Sequence, residues 1–479
     1  MKVISFLIKP HFVLCILFFI FYSTLSIVKH NHYLSGYDLG IANQIVWGYS
    51  HFKLPVLTVH AYAFMPALSD HVEFIYLVLS PFYWLFNDAK ILILLQSLVV
   101  SLSGLPIYFL ARRKGINKIL SISILISYLM FYGIQNAIWF DVHSLAFGAG
   151  FLPWFIYFLD VKNKIASIAF FFLSILSKED IALLTFLISL IYFLTHKDKK
   201  IYLFFIFSSV VYLLFIFFIY FPHFTQSGYR YQNTGGLLVN LDINNLYDTS
   251  EKKEVFFYSF SWFGFIPFLN PLYLLLAIGD LAHYFVFGSD LVTSAQGMFM
   301  HYRISLASLL VWSTIIVISK YKRLNTKFLA IYILFFALLF QYTLHLPLSY
   351  LTKKWFWTEP SAVKNIEKVI KFLPDDSSVV SQNNITPHIS GRDNIFTLWP
   401  EKKDFKINSP CQKQTCYWFR WAGKPEFLIV DTSLEWDIRH FLTNREKYVS
   451  GLSNLEKEGI ISAYKKEGSA VLYKVNKKP

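Results

Sequence analysis

The sequence predicts an all-α polytopic membrane protein, with about 11 transmembrane helices, that ends in a small water-soluble α/β domain. Three observations predict it. Of 479 residues, 55% are hydrophobic and only 15% are charged, against roughly 25% charged in an ordinary soluble domain. The apolar residues fall into runs of the length a bilayer needs, about 17–25 residues each. From about residue 352 onward, Lys, Asp, Asn and Glu become frequent, so composition divides the chain into a transmembrane domain, 1–351, and a soluble domain, 352–479.

The first run follows Met1-Lys2 and resembles a signal sequence, but no small-residue cleavage site follows it. It reads as an uncleaved first span at 11–28. Further spans read at 90–111, 119–137, 144–160, 201–221, 302–319 and 328–346, with shorter ones at 165–177 and 181–195. The stretch 257–288 is interrupted by Pro267, Asn270-Pro271 and Asp280, which predicts two short helices or a re-entrant pair. The run 72–87 is short and contains Pro81, and reads as interfacial or re-entrant.

Net charge is +14. In a soluble chain that would point to nucleic acid. Here the cations sit in short clusters between apolar runs, which are topology signals, so nucleic acid is not an expected partner and membrane lipids are. Cytoplasmic placement of Arg112-Arg113-Lys114 with Lys118, of Lys162/Lys164, of Lys197/Lys199/Lys200 and of Lys320/Lys322/Arg323/Lys327 is satisfied by one assignment. It puts the first loop, 29–71, and the connections 222–256 and 289–301 outside, together with the C-terminal domain. The chain is expected in the cell membrane with that domain extracytoplasmic.

In the soluble domain, Ser361 to Phe372 reads as an amphipathic helix and Val379-Val380 and Phe427–Val430 as short buried strands. Three cysteines occur. Cys15 lies in the first apolar run, and Cys411 and Cys416 are as compatible with two thiols as with a disulfide on the oxidising side. P-loop, GxGxxG, GxSxG and HExxH motifs are lacking.

Ionisable groups at membrane depth cost at least ~2.5–3.5 kcal/mol each and mark function when retained. Four groups stand out on the outer side of the assignment. Asp38, in Tyr37-Asp38-Leu39-Gly40, is either a catalytic carboxylate or metal ligand, or the cap of a helix over 39–50. Asp70, His71 and Glu73 form an oxygen-rich cluster suited to a hard divalent cation; on a helix Asp70 and Glu73 would share a face, with Asp70 as its cap. Asp141 and His143 meet at the junction of two spans, where Asp141 alone would pass for a helix cap. Lys178, Glu179 and Asp180 stand together between two short apolar runs; Lys suits a phosphate, although an exposed turn would carry the same charges. His301 and Arg303 add to the same side at the start of a later span.

The ordered set Tyr37-Asp38-Leu39-Gly40 with Gln44 and Trp47, Asp70-His71, Phe140-Asp141-Val142-His143, Lys178-Glu179-Asp180 and His301-Tyr302 resembles the predicted membrane protein family called domain of unknown function 2079. Leu373-Pro374-Asp375-Asp376, Asn383-Asn384, Pro387-His388-Ile389-Ser390 and Arg392 fit as well. That family is similar in layout to the C-type glycosyltransferases, multi-span enzymes with an acidic catalytic residue in a long first outer loop. The resemblance implies a hexosyl transfer from a polyprenyl-phosphate-linked sugar donor. It implies catalytic roles for Asp38, Asp70, Glu73 and Asp141, and substrate contacts from His71, His143, Lys178, Glu179, Asp180, His301 and Arg303. A divalent metal, Mg or Mn, would sit on Asp38, Asp70 and His71. The chain departs from the acidic pairs of those enzymes, because Leu39 follows Asp38. Two other classes fit the same sequence: a transporter or flippase of a lipid-linked substrate, and a non-catalytic scaffold whose outer domain binds a partner. Sugar, acceptor and oligomeric state are not encoded legibly.

Overall fold

The computed structural model describes residues 9–59, 64–225, 243–286, 297–400, 419–433 and 445–477. Cys411 and Cys416 lie outside them. The chain forms two compact units: residues 1–26, 68–75 and 93–353, and residues 27–67, 76–92 and 354–479.

The first unit is a helical bundle. Among the described residues of the chain, five helices are long and apolar enough to cross a membrane: Pro10–Asn31, Lys90–Arg113, Lys118–Phe140, Lys200–His223 and His301–Lys320. At 1.5 Å per residue, lengths of 20–24 residues give about 30–36 Å, the thickness of the hydrocarbon core. The spans expected at 144–160, 165–177, 181–195 and 328–346 form as helices, but as Ser144–Asp160, Lys164–Ile175, Glu179–Thr195 and Lys327–Thr343 they have 12–17 residues. Length and composition therefore support five crossings, fewer than the eleven expected.

Helix starts follow local chemistry. The side chains of Asn117, Asn163 and Thr326 accept the amides of Leu120, Ala166 and Leu329 at 2.9, 3.1 and 3.1 Å, closing the first turn after each basic loop. Asn117 and Asn325 also bond one another, at 2.8 Å between side-chain amides. Buried Asp160 takes Arg113 Nε at 2.8 Å and Lys114 Nζ as well. Three of the basic clusters thus lie at one end of the bundle. The interrupted stretch resolves into Ser250–Ser261 and Pro271–Phe285, two helices that suit either of the alternatives expected. Gly264 and Phe265 between them take left-handed φ of +63° and +59°, and Pro267 and Pro271 withhold the amides a continuous helix needs.

The second unit contains a five-stranded sheet with the order Ile395–Thr397, Val379–Ser381, Phe427–Asp431, Ala470–Val475, Ile461–Glu467; the first three are parallel and the last two antiparallel additions. Alternate residues face opposite layers. Leu428 and Val430 join Tyr448, Leu452 and Leu455 of helix Arg445–Lys457. Ile429 joins Val363, Ile366 and Val369 of helix Ser361–Ile370. The amphipathic helix and both strands expected from the sequence form where the pattern places them. The helix Tyr37–Ser50 of the first loop belongs to this unit, and Tyr37 and Ile41 pack on the same layer as Ile429.

Candidate functional site

In the first unit, the ends of several helices converge on a buried polar cluster. Helix Ser144–Asp160 begins after His143 and helix Glu179–Thr195 after Lys178, both with extended backbone; helix Ile304–Lys320 begins after Arg303. Three N-termini so gathered present amide donors and positive dipole ends.

Glu179 organises one side. Its carboxylate, fully buried, meets His71 Nδ1 at 2.7 Å and accepts the Val72 amide at 3.1 Å. Lys178 Nζ lies 3.4 Å from Asp180 Oδ2 and 5.5 Å from the centre of the Tyr302 ring. Ser144 donates to Glu73 at 2.5 Å. Gln96 fastens the corner between two helices, donating to the Asp141 carbonyl at 3.2 Å and accepting the His143 amide at 2.8 Å.

The imidazoles of His143 and His301 stack at 4.0 Å, with Phe140 4.3 Å from His301. Among the described residues, His143 Nε2 and both ring nitrogens of His301 have no hydrogen-bond partner. Buried Arg303 lies over Tyr284 and Phe285 at 4.8 and 5.1 Å. Asp280 accepts Ser305 at 2.8 Å. Gly133 permits this packing: a Cβ there would come within 2.3 Å of the Arg303 carbonyl oxygen.

Burial and Lys178 press His71 toward its neutral form. The charge and hydrogen bond of Glu179, with Asp70, outweigh them and push His71 up to about 9. Burial, helped by Lys178 and His71, pushes His143 down to about 3. Burial opposes the charge of Lys178 also, but Asp180, Tyr302 and two glutamates hold it above the usual lysine range. Burial raises Glu73 against the pull of His71 and Ser144. Near neutral pH the site thus holds two paired cations, His71 and Lys178, beside a neutral imidazole stack.

The structure therefore brings together Asp70, His71, Glu73, Asp141, His143, Lys178, Glu179, Asp180, His301 and Arg303, from one unit. Asp38 belongs to the second unit. There the helix carrying it is fastened by the Tyr37 amide to Asn383 Oδ1 at 2.6 Å, by Asn43 to Ser390 at 2.7 Å, and by Gln44 to Thr58 at 2.7 Å.

Three local expectations are corrected. Asp38 is not the helix cap: Gly36 is, and Asp38 lies in the first turn, where its charge still favours the helix dipole. Asp70 and Glu73 share no helix face and Asp70 caps none, because 71–73 is not helical and the helix starts at Ile75. Asp141 is a helix cap as expected, at the C-terminus of Tyr132–Phe140. Lys178-Glu179-Asp180 is no exposed turn, since the three side chains have 5%, 0% and 11% exposure. No three His, Cys, Asp or Glu side chains converge as metal ligands among the described residues.

Gln96, Ser144, Asp280 and Ser305 escaped the sequence reading as site residues. Asp280 carried a usable signal, a carboxylate inside an apolar run; Gln96 and the serines carried none.

Apolar helices of bilayer length around a buried ionic interior define an integral membrane protein of the helical-bundle class. The chain belongs to the predicted membrane protein family, domain of unknown function 2079, which it matches over residues 29–418. No curated protein matches the chain.

Proposed function

We propose that the protein is a membrane-embedded glycosyltransferase that takes a hexose from a polyprenyl-phosphate carrier at the outer face of the cell membrane. The observation that carries the reading is the buried cluster of Lys178, His71, Arg303 and the two stacked histidines at three helix N-termini. Fixed cations and amide dipoles of this kind suit a phosphate. The 3.4 Å contact of Lys178 with Asp180 is loose enough for a stronger anion to displace the carboxylate.

In this reading the acceptor hydroxyl attacks the anomeric carbon and the bond from that carbon to the phosphate oxygen breaks. The acceptor proton passes to a carboxylate base, the role the resemblance gives Asp38, while Lys178, Arg303 and His71 of the first unit stabilise the departing polyprenyl phosphate. Asp70, Glu73 and Asp141 shape the site. His143, His301, Glu179 and Asp180 line the donor. A divalent Mg or Mn ion, if used, would draw on Asp70 and His71 and add Lewis acidity there. The chain would cross the bilayer eleven times with the C-terminal domain outside, an assignment that keeps every basic loop cytoplasmic.

Purified protein in proteoliposomes, given polyprenyl phosphate carrying a radiolabelled hexose, is expected to release labelled sugar to an acceptor or water, and Asp38→Asn and Lys178→Met to abolish release. Wild-type protein that moves intact lipid-linked sugar between leaflets without cleaving it would establish the flippase reading instead. Complete burial of Arg303 and Glu179 inside the bundle is what keeps that reading in play.

A further inference from the structure

The second unit exposes an apolar surface that its own fold does not require. Helical residues Ile75–Leu79 and Ser80–Trp84 lie in a stretch, 74–87, without a charged side chain. Tyr76, Leu79 and Tyr83 are buried, yet Phe82, Trp84, Leu85 and Phe86 are exposed, Leu85 at 70%. A helix that is apolar on all sides offers no face to water.

The surface continues onto a separate segment. Just after helix Tyr37–Ser50, Phe52 and Leu54 stand 87% and 90% exposed. The Phe52 and Trp84 rings are 5.8 Å apart, and Trp84 Nε1 donates to the Ser50 carbonyl at 2.8 Å, so both segments form one patch. Its rim is charged and self-compensated: Lys53 meets Asp393 at 2.6 Å, and Lys90 lies 3.9 Å from Asp88. An apolar centre with a polar rim marks an interaction surface.

We infer that this patch is a foot by which the second unit enters one leaflet of the bilayer, its occupant being lipid acyl chains. Chain continuity selects lipid over a protein partner. Phe86 stands four residues before Lys90, the first residue of a bilayer-length helix, so at most about 14 Å of backbone separates them. The helical stretch 75–84 spans only about 15–18 Å, roughly half the hydrocarbon thickness. It enters and does not cross, and Phe52 and Leu54 enter beside it.

The test uses the full chain with its three cysteines replaced, carrying Leu54→Cys, Leu85→Cys or, as a reference on the exposed sheet edge, Tyr464→Cys, each labelled with an environment-sensitive fluorophore in proteoliposomes. Labels at 54 and 85 are expected to be quenched by brominated lipids, more by shallow than by deep bromines, and shielded from iodide, with the reverse at 464. Iodide quenching of 54 and 85 equal to that at 464 overturns the inference. So does shielding from both quenchers, which identifies a protein partner or second copy. Strongest quenching of 85 by bromines at the bilayer centre overturns the single-leaflet depth. None of these outcomes depends on catalytic activity.

Discussion

Glu179 holds His71: one carboxylate oxygen meets the imidazole Nδ1 at 2.7 Å while the other accepts the Val72 amide at 3.1 Å. A side chain at a helix start thereby fixes a loop more than one hundred residues earlier in the chain. Removing one partner of a buried ion pair costs about 3–5 kcal/mol, because the other charge is left uncompensated. Glu179→Ala is expected to lower the thermal midpoint in detergent by several degrees. Adding His71→Ala should recover part of the loss, with a coupling of about 0.5–3 kcal/mol. Additive effects of the two substitutions would show that the pair does not form.

The two titrating histidines make stability depend on pH from both sides. His71 stands at about 9 in the folded chain and about 6.5 unfolded, so the folded state binds the proton more tightly. Its contribution is complete below pH 6.5 and lost as pH rises through 9. His143 stands at about 3, so below pH 6.5 the unfolded chain takes up a proton that the folded one refuses. Stability falls there as pH falls. The thermal midpoint, followed by tryptophan fluorescence from pH 4 to 10, is expected to peak between these limbs. His71→Gln should flatten the alkaline limb and His143→Gln the acidic one; an unchanged alkaline limb in His71→Gln would contradict the ion pair.

How much of this was legible in the sequence follows from the range of each signal. Helices could be read because an apolar run reports its own burial, and the Lys178-Glu179-Asp180 triplet because three charges rarely interrupt such runs without cause. The short unbroken apolar run Phe427–Val430 likewise announced a buried strand. The grouping of the first loop with the C-terminal region could not be read, since Asn43–Ser390 and Tyr37–Asn383 join residues more than 340 positions apart. Gln96 was equally silent: one amide among many gives no hint that it clamps the Asp141–His143 corner. The shared face assumed for Asp70 and Glu73 failed because helical spacing has meaning only where a helix forms.

Lys178 separates a structural role from a functional one. Lys178→Met takes the ammonium away from Asp180, only 11% exposed, so stability should drop by several kcal/mol. The double variant Lys178→Met/Asp180→Leu replaces the pair with apolar groups and should regain most of that stability. If Lys178 serves the departing phosphate, sugar release by the double variant stays at least about 100-fold down, the scale of losing one charge-stabilising group. Recovery of release together with stability would reduce Lys178 to a structural residue.

Gly133 tests the packing that positions Arg303. A Cβ at this position would lie 2.3 Å from the Arg303 carbonyl oxygen and 2.5 Å from its carbon. Backbone at a helix start cannot swing aside as a side-chain end does, so the two helices must separate. Gly148 provides the contrast, because a Cβ there meets Ile181 Cγ1 at 2.8 Å and Ser177 Cβ at 3.0 Å, both side-chain atoms. Overpacking costs typically 1–3 kcal/mol, and Gly133→Ala is expected at or above the top of that range, Gly148→Ala nearer the bottom. Thermal midpoints of the two variants in the same detergent decide it. Equal shifts would mean that helix Lys118–Phe140 does not approach the Arg303 backbone as closely as the structure places it.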